Sequence, residues 1–488
     1  MLNWIEERTG GISALKNFLT EDVPGGASYW YTFGSATLIA LVIQIVTGIF
    51  LTFYYAPSAS TAWESTKFIY DHVTGGAFIL SLHFWGASAM IALMTVHLLQ
   101  VMIWGAYKKP REVMWVIGVV LFLLTLVLGL TGYLLPWDLN AFSASQVSIN
   151  IAGNIPPPAF GMAQKYFLQD GTQMGTLTIN RFFGIHVWLV PIMLLGLVGL
   201  HLAVFRHNGA AGPPADQTPK KFGRFYPDQI FMDTLASFLV FAVVVCLAIW
   251  MPAPLLAKAD PTNSQFVPSP AWYFFPLFGL LQKLPGQMGP ISGELVGTAV
   301  IPALGVGVLL LLPWIDRNRK RALNQRPYFI LLTFISVAVV GIFGWIGAAS
   351  ITDHIKQSGG AGQTPVRGYG APPVGAEEAA AATAAAPSGP VARGQAVYSQ
   401  NCASCHGAAG GGTPNLAPPL DGNPFVAGDP AKIIAVVNGG LHGQAVMGKS
   451  YTTPMPAWKG TLTPSQIADV ISYIRGSWSN HASIVTVK

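Results

Sequence analysis

Seven long apolar runs dominate the first two thirds of this chain and leave few choices of fold. Each is long enough to cross the hydrocarbon core of a bilayer as an α-helix. They occupy residues 31–54, 78–104, 114–135, 183–205, 230–252, 293–314 and 328–349. Only 10% of the 488 residues are charged and 52% are hydrophobic, which is typical of a membrane protein. The sequence therefore predicts an all-α fold built on a seven-helix transmembrane bundle.

Basic residues predict how the bundle lies in the membrane. They concentrate in the loops after the second, fourth and sixth runs, which the positive-inside rule assigns to the cytoplasm. The N-terminus is then inside and the C-terminus outside. The net charge of +6 reflects this topology and gives no reason to expect nucleic-acid binding. Residues 1–30 lack the long apolar core of a signal peptide and predict an interfacial helix.

Four histidines interrupt the apolar runs in two matched pairs. His83 and His97 are fourteen residues apart on the second run, and His186 and His201 are fifteen apart on the fourth. These spacings place the members of each pair roughly 21 and 22 Å apart along a helix, within about 40–60° of one face. Histidines inside a membrane are expensive and usually functional. We therefore predict two stacked bis-histidine haem sites, His83 with His186 and His97 with His201.

Glycines repeat the histidine spacing on the two neighbouring runs. Gly34 and Gly48 are fourteen residues apart on the first run, and so are Gly118 and Gly132 on the third. A glycine allows a flat macrocycle to approach the backbone closely. Helix packing also uses small residues, but the shared period favours haem contacts.

The chain changes character after residue 351. Residues 352–389 are rich in Gly, Ala and Pro and predict a flexible linker between two domains. Cys402, Cys405 and His406 then form a Cys-x-x-Cys-His motif, which is the attachment signal of a c-type haem. The third cysteine, Cys246, lies alone in the fifth run and is most simply a packing residue.

Residues 25–350 resemble the cytochrome b family of quinol-oxidising bc and bf complexes. The resemblance is carried by GIFLTFYY (48–55), SLHFWGAS (81–88), KKPREVMWVIGVVL (108–121), LTGYLLPWD (130–138), IHVWLVP (185–191), YPDQ (226–229) and PAWYFFPLFGLLQKLP (270–285). It implies a four-helix core over 31–210, a three-helix part over 211–351, two non-covalent b haems, and quinone sites on opposite faces of the membrane.

The resemblance also assigns residues to the quinone sites. It implies an outer quinol site at Pro270, Trp272 and Tyr273, and an inner proton-supplying role for Asp228. The family usually has a carboxylate where this chain has Ala271, so the proton acceptor at the outer site is open. Asp138 is a candidate by position, and a helix cap is an equally good interpretation of it.

Residues 390–488 resemble a class I cytochrome c. The motifs NLAPPL (415–420) and MPAWKG (455–460) accompany the haem attachment signal. The resemblance implies His406 and Met455 as ligands of a covalent haem c, with Met447 as the alternative to Met455.

Together these features predict the cytochrome b subunit, with a fused cytochrome c, of a bacterial quinol:cytochrome c oxidoreductase that translocates protons. Only Cys246 remains outside the haem c motif, so the iron–sulfur centre must belong to a separate Rieske subunit. Further cytochromes, a terminal oxidase or a photosynthetic centre are expected partners, and the family implies a homodimer. Two interpretations stay open: an electron-conducting anchor for a dehydrogenase, and a cytochrome c domain that serves mainly to dock a supercomplex.

Overall fold

The protein forms two compact units, Met1–Pro372 and Pro373–Lys488. The computed structural model describes residues 2–169, 171, 173–215, 222–260, 266–289, 291–360, 362–371, 389–407, 410–412, 417–441, 449, 451, 455–460 and 462–485.

The first unit is a helical bundle, as the sequence predicts. Among the described residues, seven helices are long and apolar enough to cross a membrane. The spans are Tyr29–Thr52, Gly76–Trp104, Glu112–Tyr133, Thr176–Asn208, Phe225–Trp250, Gly293–Ile315 and Pro327–Gln357. The fourth span begins before residue 183 and the seventh continues past residue 349, because their terminal turns are helical but polar.

A shared core joins the first four spans. Its buried members come from all four helices and are Ala40, Leu41, Met90, Ile117, Leu121 and Leu194. The fifth span packs on the first two, and the sixth packs on the third. The seventh packs on the short helix Phe275–Lys283, where Gly279 and Gly347 allow the two backbones to touch. The bundle therefore brings the predicted core and the three-helix part into one unit.

Shorter elements connect the spans. The additional helices are Leu2–Thr9, Gly11–Leu19, Ala62–His72, Leu139–Gly153 and Pro158–Leu168. Two small antiparallel ladders pair Asp22–Pro24 with Phe222–Arg224 and Gln287–Met288 with Ile291–Ser292. The N-terminal segment is thus two helices and a strand where we predicted one helix. Gly10, with φ of 61°, interrupts the helix because it adopts a left-handed conformation.

Residues 362–371, which we call the strap, correct the predicted start of the linker. The last span is helical to Gln357, and the strap then packs against residues 252–255. The amide of Tyr369 donates to the carbonyl of Pro252 at 2.8 Å, and the amide of Leu255 donates to Arg367 at 2.9 Å. The Arg367 guanidinium also holds Asp71 in a two-bond ion pair of 2.5 and 3.0 Å. Composition alone did not predict this ordered segment, because contacts made through backbone hydrogen bonds leave no hydrophobic pattern in the sequence.

The second unit is a small helical domain. Its helices are Pro390–Asn401, Ala403–His406, Pro424–Ala427, Pro430–Gly439 and Pro464–Gly476. The first and last helices cross at Gly394, where an added Cβ would lie 1.9 Å from the Asp469 carbonyl oxygen. Tyr398, Val426, Val470 and Ile471 form the centre of its hydrophobic core.

Candidate cofactor sites

The first histidine pair lies between the second and fourth spans. The ring centres of His83 and His186 are 6.2 Å apart. Each Nδ1 hydrogen-bonds a threonine, Thr47 at 2.9 Å and Thr131 at 3.2 Å, which leaves Nε2 for another partner. Two metal–nitrogen bonds of about 2 Å leave roughly 4 Å between the nitrogens, so ring centres about 6 Å apart accommodate one iron between them. The arrangement fits a bis-histidine haem.

The second pair lies farther along the same helices. The Nδ1 atoms of His97 and His201 are both buried without a hydrogen-bond partner among the described residues. A Cβ added to Gly34 would lie 3.7 Å from Cε1 of His97, and one added to Gly118 would lie 3.5 Å from Cε1 of His201. Glycines of the first and third spans therefore face the histidines of the second and fourth.

Glycines flank the first pair more tightly. A Cβ added to Gly48 would lie 3.2 Å from Cε1 of His83, and one added to Gly132 would lie 2.5 Å from Cε1 of His186. The second distance is well inside carbon–carbon contact, so only glycine fits beside the imidazole there. The structure thus brings each of the four predicted glycines to one of the four histidines.

A π-helical turn explains the unequal histidine spacings. The fourth span contains this turn at Ile185–Leu189, which includes His186. A π turn accommodates one extra residue without advancing the helix face. The fifteen-residue spacing of His186 and His201 therefore returns to the same helix face as the fourteen-residue spacing of His83 and His97.

The Cys-x-x-Cys-His motif of the second unit lies at its first helix–helix junction. His406 is buried, and its Nδ1 donates to the Pro418 carbonyl oxygen at 2.9 Å, leaving Nε2 for a metal. Burial lowers the pKa of His406, which favours the neutral, ligating imidazole. Met455 packs against the same core and pairs its backbone with Leu441 at 2.9 and 3.1 Å. Met447 lies outside the described residues.

A cavity of about 170 Å³ lies beside Pro270 in the first unit. It is bounded by the third span, the helix Leu139–Gly153, the loop that begins at Pro270 and the helix Phe275–Lys283. Its lining residues are Leu130, Tyr133, Ala144, Ser145, Ser148, Ile151, Pro270, Ala271, Phe274, Leu277 and Phe278. Such a mostly apolar pocket with a few polar groups is typical of a small-molecule site.

Two predicted outer-site residues do not line this cavity. The Trp272 indole donates to the Ser88 hydroxyl at 3.3 Å, and the Tyr273 ring lies against Gly129. The loop is held by Asn140, whose amide accepts from the Ser269 amide at 2.7 Å and donates to its carbonyl at 2.9 Å. Pro270 is thus the predicted outer-site residue that reaches the cavity.

Asp138 acts as a helix cap in this structure. Its carboxylate accepts from the amides of Ala141 at 2.8 Å and Leu256 at 3.0 Å. Burial raises the pKa of Asp138, and these amides oppose that effect. Both oxygens are occupied by backbone donors, which favours the structural interpretation of this residue over a proton-accepting one.

At the other end of the bundle, Asp228 is exposed. A second carboxylate, Asp233, was missed from sequence because it lies one helical turn inside an apolar run. It accepts from the Gln229 side-chain amide at 3.0 Å and lies near Ser35 of the first span. Asp228 thus faces solvent, whereas Asp233 lies farther inside the bundle.

A buried ionic cluster joins the loops after the second and sixth spans. Asp316 pairs with Lys108 at 2.8 Å and with Arg326 at 3.2 Å, and accepts from the Tyr107 hydroxyl. Although burial alone would raise the pKa of Asp316, hydrogen bonds from Lys108 and Tyr107 lower it. This cluster connects the four-helix core to the three-helix part.

A seven-span bundle with paired intramembrane histidines, together with a Cys-x-x-Cys-His domain, defines a membrane-bound cytochrome. Residues 18–209 match the cytochrome b/b6/petB family, residues 258–362 match cytochrome b(C-terminal)/b6/petD, and residues 391–478 match cytochrome c. The chain belongs to the cytochrome b family and carries a fused C-terminal cytochrome c domain.

Several relatives are similar over the membrane part. Cytochrome b of Allochromatium vinosum is 30% identical over 72% of this chain and 89% of its own length. The cytochrome bc complex cytochrome b subunit of Chlorobaculum thiosulfatiphilum is 33% identical over 69% of this chain and 78% of its own. A solved structure described as hyperthermophilic respiratory Complex III matches with a TM-score of 0.62, at 25% identity, over 72% of this chain and 96% of that one.

These matches establish the class of the protein. It is a cytochrome b of a bc-type complex, an oxidoreductase that works in electron transport as part of a membrane multisubunit assembly. Its two family domains imply haem b and haem c as cofactors.

Proposed function

We propose that this chain is the diheme cytochrome b subunit, with a tethered cytochrome c, of a bacterial quinol:cytochrome c oxidoreductase. It would oxidise quinol at the outer face, conduct electrons to an inner quinone and to an external acceptor, and couple this to proton translocation. The observation that carries the proposal is the pair of stacked histidine sites within one bundle that also contains the Pro270 cavity.

The ligand assignments follow from the contacts. His83 and His186 would hold one haem b, and His97 and His201 the other, with Gly34, Gly48, Gly118 and Gly132 giving the macrocycles room. Cys402, Cys405, His406 and Met455 would hold one covalent haem c. When bound, these groups supply one-electron redox chemistry that no side chain offers.

The chain's own residues would position the quinol. Pro270 and Phe274 form an apolar wall of the cavity, which favours a quinone ring over water. Asn140 hydrogen-bonds both the amide and the carbonyl of Ser269, the residue before Pro270, and so holds the loop in place. We propose the cavity as the quinol site, with Trp272 and Tyr273 as supporting residues of its loop.

At the inner face, a quinone that is being reduced must receive protons. Asp228 is open to solvent, whereas Asp233 lies beside Ser35 and Gln229 within the bundle. We propose that Asp228 collects protons from the cytoplasm and that Asp233 is the carboxylate closer to the quinone. Basic residues in the same loops support the cytoplasmic orientation of this end.

The proposal requires other subunits. Quinol oxidation releases two electrons, and a Rieske iron–sulfur subunit would accept the one that leaves toward haem c. The assembly would be a homodimer in a bacterial plasma membrane, with the cytochrome c domain outside. An oxidase or photosynthetic centre would be the eventual acceptor.

Oxidant-induced reduction of haem b tests the proposal against the dehydrogenase-anchor alternative. The purified complex, with the inner site inhibited, is mixed with quinol and then given a pulse of ferricyanide. In a bifurcated reaction, the oxidant withdraws one electron and thereby drives the second onto haem b, so the b band should increase. In a simple electron-conducting anchor, the oxidant drains haem b and the band should decrease.

Protein composition provides the companion measurement. A Rieske subunit should copurify with the chain and give an iron–sulfur resonance. If the purified complex reduced haem b but contained no Rieske subunit, the proposed bc-type subunit composition would be refuted.

A further inference from the structure

The loop that leads to Pro270 is stiff but has few backbone hydrogen bonds. Its sequence, Val267-Pro268-Ser269-Pro270, contains two prolines, each of which lacks an amide hydrogen and fixes φ at about −65°. The residue before each proline is confined to extended conformations. In the described part of the chain, residues 266–270 make no backbone–backbone hydrogen bond. Side chains from other elements must therefore fix the position of this loop.

Three side chains bind the polar backbone atoms of the loop. The Tyr133 hydroxyl donates to the Ser269 carbonyl oxygen at 2.6 Å, and the Asn140 side chain accepts from the Ser269 amide at 2.7 Å. The third is Gln363 of the strap, whose side-chain amide donates to the Val267 carbonyl oxygen at 2.8 Å. Tyr133 and Asn140 belong to helices of the bundle, whereas Gln363 lies one residue beyond the end of the cytochrome b(C-terminal)/b6/petD match.

The strap holds Gln363 in place on both sides. The Gln363 backbone amide donates to the Gly360 carbonyl oxygen at 3.1 Å, just after the last span. On its other side, the Val366 amide donates to Leu255 at 2.7 Å, and the Arg367–Asp71 ion pair follows, with side chains only 14% and 17% exposed. Because the backbone around Gln363 is already ordered, its side chain loses less entropy when it binds Val267.

We infer that Gln363 is a positioning residue of the quinol site, acting through Val267 on Pro270. The inference rests on the proposed function. Val267 and Pro270 are separated by roughly 10 Å of extended chain. Since each of the four residues in between and at the ends has a restricted backbone, a shift at Val267 is passed on to Pro270. Gln363 touches no ligand; it keeps the Pro270 wall of the cavity where a quinone ring packs against it.

Substitutions that separate the donor from the size of the side chain test this inference. Gln363→Met keeps a similar length and removes the N–H donor, so it should raise the KM for quinol by roughly 2- to 12-fold, the factor for one neutral hydrogen bond. The value of kcat should stay within about twofold, because the interaction affects binding of the ring. Gln363→Lys restores a donor and should bring KM back toward the wild-type value.

Gln357→Met is the matched control. Gln357 ends the last span, six residues before Gln363, and its side chain is exposed with no hydrogen bond among the described residues. Its KM should equal that of the wild type. The inference would be overturned by a wild-type KM in Gln363→Met, by a fall in kcat alone, by an equal defect in Gln363→Lys or Gln357→Met, or by a Gln363→Met complex that does not assemble.

Hydrogen exchange measures the position of the loop without quinol. Pro268 and Pro270 have no amide hydrogen, so a peptide over residues 267–270 reports on the Val267 and Ser269 amides alone. Exchange at Ser269 should be faster in the quinol-free Gln363→Met complex than in the wild type, because one of the loop's three attachments is lost. Equal exchange rates would refute the positioning role.

The two levels of proposal fail differently. A wild-type complex that does not oxidise quinol refutes the proposed function. A wild-type complex that oxidises quinol, with Gln363→Met variants of the same KM and exchange rate, refutes the role of Gln363 alone.

Discussion

Gly132→Ala is the sharpest test of the haem sites, because the structure gives the contact distance from which the size of the effect on haem retention follows. The added Cβ would lie 2.5 Å from Cε1 of His186, about 1 Å inside ordinary carbon–carbon contact. His186 is held by Thr131 and by its π turn, so it cannot retreat without losing its alignment with His83. Overpacking of this kind costs about 1–3 kcal/mol. Retention of the haem at this pair should therefore weaken by roughly 5- to 150-fold.

The covalent haem c provides an internal standard for the assay. Pyridine haemochrome spectra of the purified complex give the ratio of haem b to haem c, which should be two to one in the wild type and approach one to one in Gly132→Ala. Gly196→Ala is the control, because Gly196 lies on the same span as His186 and a Cβ added there would have nothing within 4 Å. If Gly196→Ala lost as much haem b as Gly132→Ala, or if neither variant lost any, the distance argument would be wrong.

Three further outcomes are expected. Met455→His should lower the midpoint potential of haem c and leave the b haems in place; a decrease seen only in Met447→His would identify Met447 as the ligand. Ala271→Glu should assemble and change the pH profile of quinol oxidation, because it adds a titratable group beside Pro270; an unaltered profile would argue against proton exit there. Arg367→Ala should accelerate hydrogen exchange at the Tyr369 amide, and equal rates would show that the ion pair does not hold the strap.

The fold class was predictable because hydrocarbon imposes a simple rule. A spanning segment must be apolar, helical and about twenty residues long, so composition alone identifies it. The same regularity links Gly48 to His83 and Gly132 to His186, since a glycine pair and a histidine pair of nearly equal spacing can lie level with each other at both positions. The limits of these rules are visible at His186, where a π turn changes the spacing that an ideal helix requires.

Features that depend on individual hydrogen bonds were not predictable. Asp138 could be read as a base or as a cap until the amides of Ala141 and Leu256 were placed against it. Asp233 is hidden within an apolar run, and its hydrogen bond from Gln229 is apparent only once the two side chains are positioned. The strap is invisible in composition because its Gly- and Pro-rich sequence contributes backbone contacts in place of a hydrophobic face.

The strap also shortens the stretch of chain that separates the two units. Strap contacts fix the chain up to Ala371, so only residues 372–388 lie between this point and Gly389 of the second unit. Fully extended, that stretch reaches at most about 60–65 Å, whereas a tether starting at Gln357 would reach about 105–115 Å. Starting this segment at residue 372 in place of residue 358 therefore nearly halves the greatest distance that it can span.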